Sequence, residues 1–199
     1  EIMPSLVGSE MCIRDSFIDS SSPEMMDGYS RVNYGEVETI DKLLTKFENS
    51  DSFQRYLEKF DKDEDKQIGI ISFYGKQIKQ LQSIAFKHSS LPIRVSTVDR
   101  FQGMERNIVI VSMVRSNIIQ SSRDQKPDKK RYPELGYPVQ KSLGFAQSPN
   151  RLNVALSRAK RLLIIVGNQE LFSSLDIYQR LFTTIKTNSN NRILKQDEV

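Results

Sequence analysis

Residues 107–114, Asn-Ile-Val-Ile-Val-Ser-Met-Val, decide the fold class of this 199-residue chain. The run is almost continuously apolar and rich in β-branched side chains, which is typical of a strand buried on both faces of a parallel sheet. A second such run, Leu-Leu-Ile-Ile-Val, occupies residues 162–166 and follows a helical pattern over residues 150–160. Buried strands separated by helices predict an α/β fold with a mainly parallel sheet.

The same two patterns continue on both sides of these runs. Apolar residues at helical spacing predict helices over residues 36–60, 76–87 and 170–186. Short apolar runs predict strands at residues 68–72 and 93–95, and a strand end at residues 17–18. Because ligands of an open α/β sheet bind beyond the carboxyl ends of its strands, we expect the site in the loops that follow them.

The length of the chain suits one domain with a tail. We predict a domain over residues 17–186 and a frayed polar tail over residues 187–199. Residues 4–16 resemble a translated sequencing adapter, so we interpret residues 1–16 as a non-native or disordered segment. Since residue 1 is not Met and nothing start-like precedes Phe17, we interpret the chain as a fragment of a longer protein.

The residue inventory excludes several kinds of site. Cys12 and His88 are the only cysteine and histidine, which excludes a zinc site, a disulfide framework and a Cys/His or Ser/His/Asp centre within the chain. No apolar run approaches the roughly 18–20 residues that cross a bilayer, so we expect no membrane association. A single cysteine fits an intracellular protein, cytoplasmic or nuclear. We interpret His88 as a surface residue of a helix.

Charge is distributed unevenly along the chain. Residues 1–66 hold 8 Lys and Arg against 16 Asp and Glu, whereas residues 67–199 hold 21 against 9. A basic second half indicates an anionic partner, nucleic acid or nucleotide, about as strongly as it indicates a merely solvated surface.

A polar loop over residues 96–105, Ser-Thr-Val-Asp-Arg-Phe-Gln-Gly-Met-Glu, lies between two predicted strands. Gly103 would let the backbone approach a ligand closely, the hydroxyl of Thr97 suits a phosphate oxygen, and Glu105 could accept from a ribose hydroxyl. The alternative is that Asp99 caps a short helix and Gly103 only turns the chain.

A second polar stretch is the predicted helix over residues 150–160. Arg151 and Arg158 are two turns apart and would share one helix face. Guanidinium groups suit triphosphates, because their fixed donors match phosphate oxygens and neutralise charge in phosphoryl transfer. The alternative is a solvated basic helix.

Four segments in order resemble superfamily 1 helicases, in the group that contains the nonsense-mediated-decay RNA helicase and replication helicase-nucleases. VSTVDRFQGMERNIVIVSMVRSN resembles motif V, and GFAQSPNRLNVALSRAKRLLIIVGN resembles motif VI. IGIISFYGKQIKQLQ resembles the motif IV region, and SRVNYGEVETI resembles the Ser-x-x-Asn-x-x-Glu segment before it. The resemblance implies a three-layer RecA-like domain of the P-loop NTPase type, the second motor domain of such an enzyme.

The resemblance also implies roles for individual residues. Arg158 matches the motif VI arginine that reaches the γ-phosphate of ATP as an arginine finger, and is the expected catalytic residue. The expected ATP-binding residues are Gln102, Gly103, Glu105 and, second to Arg158, Arg151. The expected contacts to single-stranded DNA or RNA are Ser72, Thr97, Asp99 and Asn33.

Two aspects of the resemblance leave roles open. Some relatives carry a phosphate-binding arginine after the Asn of the early segment, whereas this chain has Tyr34 there and Arg31 offset from it. Phe73 and Tyr74 follow a strand and could stack on bases, although aromatic residues at a strand end more often belong to the core.

The expected function is the C-terminal motor half of an ATP-dependent DNA or RNA helicase or translocase. Neither a G-x-x-x-x-G-K-[ST] motif nor an apolar strand ending in Asp-Glu occurs here, so ATP and Mg²⁺ would be held mainly by an N-terminal RecA-like domain of the same protein. The alternatives are a nucleic-acid-binding module without motor activity and the motor part of a helicase-nuclease.

Residues 115–143 are longer than the matching segment of compact relatives and are predicted to form a surface insertion that contacts nucleic acid. Its basic residues are Arg115, Arg123, Lys126, Lys129, Lys130, Arg131 and Lys141, against Asp124, Asp128 and Glu134.

Replacing Lys129, Lys130 and Arg131 by Glu should weaken binding of single-stranded nucleic acid, because cations that neutralise phosphates supply most of its affinity. Titration of a labelled oligonucleotide with the full-length protein measures the effect. Unchanged binding would remove the insertion from the nucleic-acid surface.

Overall fold

The computed structural model describes residues 14–28, 30–59, 67–116, 144–187, 189 and 191–199. Within them the strands are β1 (Arg14–Asp19), β2 (Met25–Asp27), β3 (Ser30–Val32), β4 (Ile68–Ser72), β5 (Ile93–Thr97), β6 (Arg106–Ser112), β7 (Ala159–Gly167) and β8 (Arg192–Lys195). The α-helices are α1 (Tyr34–Glu48), α2 (Asp51–Glu58), α3 (Gly75–Lys87), α4 (Pro149–Leu156), α5 (Gln169–Phe172) and α6 (Asp176–Thr187). Short 3₁₀ turns lie at Asp99–Phe101, Gly144–Gln147 and Gln196–Glu198.

Strand β6 lies inside a sheet whose order is β5-β4-β6-β7-β1-β8 in the described residues. All five neighbouring pairs run parallel, which confirms the predicted α/β class. Side chains of β6 alternate between two cores: Ile108 and Ile110 pack with α1, α2 and α3, whereas Val109 and Val111 pack with α4 and α6. All four are 0% exposed. The domain is therefore a three-layer sandwich with helices on both faces of the sheet.

Helix boundaries differ from the sequence predictions in two places that matter below. The pattern over residues 36–60 forms two helices, since Ser50 caps α2 by accepting a hydrogen bond from the backbone N–H of Phe53. The pattern over residues 150–160 is helical only as far as Leu156, and β7 begins at Ala159.

Both ends of the described chain join the sheet. The expectation of a frayed tail is wrong, because β8 pairs with β1, with Ser16 opposite Arg192. Strand β1 also takes in residues 14–16 of the segment interpreted as non-native. Within the described residues, Asp15 Oδ1 and Ser16 Oγ are buried without a hydrogen-bond partner, and burial raises the pKa of Asp15. Unsatisfied polar side chains in a buried strand are unusual, and the non-native origin of residues 1–16 stays a prediction.

His88 is buried, and its prediction as a surface residue is wrong. Only 3% of its side chain is exposed, and its ring nitrogens lie 2.6 Å from Glu48 Oε2 and 2.8 Å from Asp41 Oδ1. Burial pushes the pKa of both carboxyls upward, but hydrogen bonds from Lys87 and His88 to Asp41, and from Ser90 and His88 to Glu48, lower it overall. The cluster fastens the end of α3 to α1.

A buried polar network joins α1, α3 and the end of β6. The Asn33 side chain caps α1 by accepting from the N–H of Glu36 at 3.1 Å, and it donates to the carbonyl of Val114 at 3.2 Å. Glu36 accepts from the Ser112 hydroxyl at 2.6 Å and from the N–H of Val114 at 2.9 Å. Gln77 donates to Ser112 at 2.9 Å and accepts from the N–H of Asn33 at 2.9 Å. The network therefore fixes the chain where it leaves β6.

We expect His88→Ala to lower the free energy of unfolding by on the order of 1–3 kcal/mol at pH 7, because two carboxylates lose their shared donor. Since folding lowers the pKa of Asp41 and Glu48, their stabilisation is present above their ordinary values of 3.8 and 4.5 and is lost at lower pH. Urea unfolding at several pH values should show a weaker acid dependence in the variant. Phe86→Ala is the control, since Phe86 is 85% exposed on α3; an equal loss in both variants would contradict the ion cluster.

Burial raises the pKa of the Glu36 carboxyl from 4.5 to about 8. The folded state therefore binds this proton more tightly than the unfolded chain does. Its stabilisation is complete below pH 4.5 and is lost as the pH rises through 8. We expect the free energy of unfolding to fall by a few kcal/mol, on the order of one per pH unit, across this window. Glu36→Gln should flatten the curve; a variant curve parallel to the wild type would contradict the assignment.

Candidate nucleotide and nucleic-acid interfaces

The predicted site residues lie at the two opposite ends of the parallel strands. The side where the strands end is called the carboxyl edge below, and the side where they begin is called the amino edge. Thr97 ends β5, and Asp99 follows it at the carboxyl edge of the sheet. Glu105 and Arg158 precede β6 and β7, and therefore lie at the amino edge. A backbone hydrogen bond of 2.9 Å from the N–H of Arg106 to the carbonyl of Arg158 holds these two strand beginnings together. The predicted ATP-binding loop and the predicted arginine finger are thus neighbours, as the resemblance implies.

The loop at the amino edge exposes the groups that were predicted to face a nucleotide. Gln102, Gly103 and Glu105 are exposed, and Gly103 has a φ of +80° with open space where a side chain would lie. The loop is anchored by Phe101, which is 0% exposed and packs on Gly69, where a β-carbon would lie 2.6 Å from the Phe101 ring. An exposed amide and carboxylate therefore stand on a fixed base.

Arg158 lies in the turn after α4, so the prediction that it shares a helix face with Arg151 is wrong. Its Nε donates to the carbonyl of Val154 at 3.0 Å, and its Nη2 donates to the Ser157 hydroxyl at 2.8 Å. The carboxyl end of a helix attracts a cation, because its last carbonyls lack intrahelical partners. Among the described residues, no carboxylate forms an ion pair with Arg158, which leaves its charge available to an anion.

Arg151 lies at the opposite edge and pairs with Asp99. Its Nε and Nη2 lie 3.1 and 3.2 Å from the two carboxylate oxygens of Asp99. The guanidinium carbon is 5.0 Å from the centroid of the Phe145 ring. These groups line a cleft at the carboxyl edge together with Phe73, Thr97 and Val98. The structure therefore groups Arg151 with the predicted nucleic-acid residues Thr97 and Asp99, and its role as an ATP contact stays a prediction.

Two of the predicted nucleic-acid contacts are fully buried. Asn33 is 0% exposed and engaged in the network at the end of β6, so its position contradicts a direct contact. Ser72 is also 0% exposed, and its Oγ has no hydrogen-bond partner among the described residues. Thr97 and Asp99 are the members of the set that solvent reaches.

Glu24 forms buried ion pairs with two arginines, Arg31 and Arg115. Glu24 is 1% exposed and lies 3.0 Å from Arg31 Nη1 and 2.8 Å from Arg115 Nε. Arg115 is 0% exposed, which contradicts its assignment to a surface insertion. Arg31 is 12% exposed at its side chain. Residues 117–143 of the predicted insertion lie outside the described residues.

The aromatic residue that the sequence analysis missed is Phe145. Phe73 and Tyr74 are 9% and 6% exposed and belong to the core, as the alternative interpretation held, whereas Phe145 is 51% exposed at the cleft. Its position directly after the Pro- and charge-rich residues 115–143 gave no periodicity from which exposure could be predicted. Tyr34, at 47%, is exposed at the beginning of α1.

Two properties of the described residues concern metal ions and membranes. No group of three or more His, Cys, Asp or Glu side chains in that part of the chain could hold a metal ion. No helix there combines the length and the apolar character that a membrane crossing requires.

Comparison with known proteins identifies the family to which the chain belongs. Residues 9–170 match the family described as AAA domain. The chain is 33% identical over 165 residues, 80% of its length, to "Regulator of nonsense transcripts 1 homolog" of Drosophila melanogaster, of which it covers 11%. It is 36% identical over 115 residues, 58% of its length, to "Probable RNA helicase armi" of the same organism, of which it covers 8%. It is 27% identical over 170 residues, 83% of its length, to an uncharacterized ATP-dependent helicase of Methanocaldococcus jannaschii, of which it covers 22%.

A solved structure is also similar, namely the C-terminal domain of a possible DNA helicase from Lactobacillus plantarum. The two share 13% identity and a TM-score of 0.41, over 91% of this chain and 84% of the other. The chain thus spans between 8% and 22% of the length of these curated relatives. Because the family match takes in most of the chain, including both edges of the sheet, the chain belongs to the AAA domain family of superfamily 1 helicases, with a three-layer RecA-like fold.

Proposed function

We propose that this chain is the second motor domain of an ATP-dependent helicase or translocase that acts on single-stranded DNA or RNA. One observation carries the proposal: Arg158, which forms no ion pair among the described residues, lies beside the exposed loop of Glu105 at one edge of the sheet, while a separate polar cleft lies at the other. A motor domain needs a nucleotide-binding surface and a strand-binding surface in one rigid body, because a movement caused by the nucleotide must be transmitted to the bound strand.

The amino edge suits the phosphates of a nucleotide held mainly by another domain. Arg158 makes hydrogen bonds only to a carbonyl and a hydroxyl among the described residues, so its full charge can turn toward phosphate. Gly103 leaves the backbone open to close approach, and Glu105 can accept from a sugar hydroxyl. ATP, with its Mg²⁺, supplies the phosphoryl group whose transfer releases free energy. Arg158 would stabilise the negative charge that develops on that group.

The described residues do not supply the metal site. Without a cluster of carboxylates in that part of the chain, Mg²⁺ would be bound by an N-terminal RecA-like domain of the same protein. The carboxyl edge is proposed to hold the strand, with Thr97 and Arg151 donating to phosphate oxygens. Such contacts position a strand without reading its sequence.

The test is turnover of ATP by the intact protein, with and without single-stranded oligonucleotides. Arg158→Ala should lower stimulated turnover by about 10³–10⁵-fold while oligonucleotide affinity changes little, because an arginine finger acts on the transition state. Arg180→Ala is the matched control, since Arg180 is an exposed arginine on α6 that does not line the cleft. If the oligonucleotide still stimulates ATP turnover in Arg158→Ala, the assignment of Arg158 as an arginine finger is wrong. If the wild-type protein binds the strand but does not turn over ATP, the protein is a binding module instead.

A further inference from the structure

We infer that Phe145 is a stacking platform for an unpaired base of the bound strand, with Arg151 beside it for the adjoining phosphate. This inference rests on the proposed function, because it names the residues through which the carboxyl edge holds a strand. It concerns a side chain to which neither the motifs nor the family match assigns a role.

The first observation is that Phe145 is exposed although its neighbours are firmly anchored. Gly144 has a φ of +56°, and a β-carbon there would lie 2.6 Å from the Tyr74 hydroxyl and 3.0 Å from Arg115 Nη1. The next residue, Ala146, is 0% exposed, and its carbonyl accepts from the Tyr178 hydroxyl at 2.7 Å. The backbone is therefore held on both sides of a ring that projects outward.

The second observation is the chemistry around that ring. One neighbour is the buried ring of Tyr74, tilted at 56° with centroids 5.5 Å apart. Another is the guanidinium of Arg151, whose carbon lies over the Phe145 ring, 5.0 Å from its centroid, so a base would stack on the opposite face. A planar apolar surface beside a cation is complementary to a nucleobase and its phosphate. Every base has such a face, so stacking here would be tolerant of sequence.

The third observation is that Arg151, which pairs with Asp99 at the cleft, can exchange this partner for another anion. The side chains of Arg151 and Asp99 are 36% and 65% exposed, and exposed pairs of this kind contribute little to stability. Arg151 can therefore accept a phosphate partner at small cost. The ring lies at the carboxyl edge, away from Glu105 and Arg158, which favours a base of the strand over the base of a nucleotide at the amino edge.

The chain contains no tryptophan, which permits a direct test. Phe145→Trp introduces the only tryptophan of the chain, and Phe86→Trp introduces one at the control position, 85% exposed on α3. Titration with a 12-mer of oligothymidylate or oligouridylate should quench the fluorescence at position 145 and leave that at position 86 unchanged. ATP at the same concentration should quench neither. Quenching by ATP alone, or binding by anisotropy with no quenching at position 145, would overturn the inference.

Affinity gives a second readout. Phe145→Ala should weaken binding of the oligonucleotide about 5- to 100-fold, as expected for one lost base stack, whereas Phe86→Ala should not. The salt dependence should keep its slope, because no phosphate contact is removed. An abasic oligonucleotide should bind wild type and Phe145→Ala equally; a loss that persists on it would overturn stacking. If no oligonucleotide binds the wild-type chain even at low salt, the nucleic-acid role in the proposed function fails as well.

Discussion

The buried carboxyl group of Glu36 fixes the point where the central strand ends, and the arrangement of the carboxyl edge depends on it. Val114, two residues beyond β6, has a φ of +70°, a conformation that costs a β-branched residue about 1–3 kcal/mol. The conformation persists because its N–H donates to Glu36 and its carbonyl accepts from Asn33. Immediately afterwards Arg115 forms its ion pair with Glu24, so the path out of β6 is determined over two successive residues.

This fixed exit determines where the cleft lies. Arg115 lies close to Gly144, since its Nη1 would be 3.0 Å from a β-carbon at that residue. Gly144 in turn places Phe145 beside Arg151 on α4. A parallel sheet then separates this cleft from the amino edge by the length of its strands, about 3.3 Å per residue. The location of the two proposed binding surfaces on one sheet therefore follows from the topology rather than from any single motif.

Periodicity predicted the central layer well and the connections less well. Residues 68–72 form β4 as predicted, because continuous apolar character has one common cause in a parallel sheet. The helix over residues 150–160 was predicted too long, since Ala159 has an apolar side chain that suits the end of a helix and the beginning of a strand equally. His88 and Arg115 were misplaced because their burial depends on partners 40 and 91 residues away, Glu48 and Glu24. Local patterns carry no information about such contacts. The motif residues at the amino edge were found through the resemblance, and Phe145 required the folded chain.

Three arginines differ in how strongly their present partners hold them, and this difference decides which of them could bind a phosphate. Arg115 and Glu24 are 0% and 1% exposed, and removing one partner of a buried pair costs about 3–5 kcal/mol because the other charge is stranded. Arg151 is held by an exposed carboxylate, which contributes about 0–1 kcal/mol. Arg158 is held by neutral acceptors, at about 0.5–1.5 kcal/mol for each hydrogen bond. A phosphate can compete with either of the last two arrangements but not with the first. Arg115 therefore stays in the framework, and the two arginines that can change partners lie one at each edge, as the proposed motor function requires.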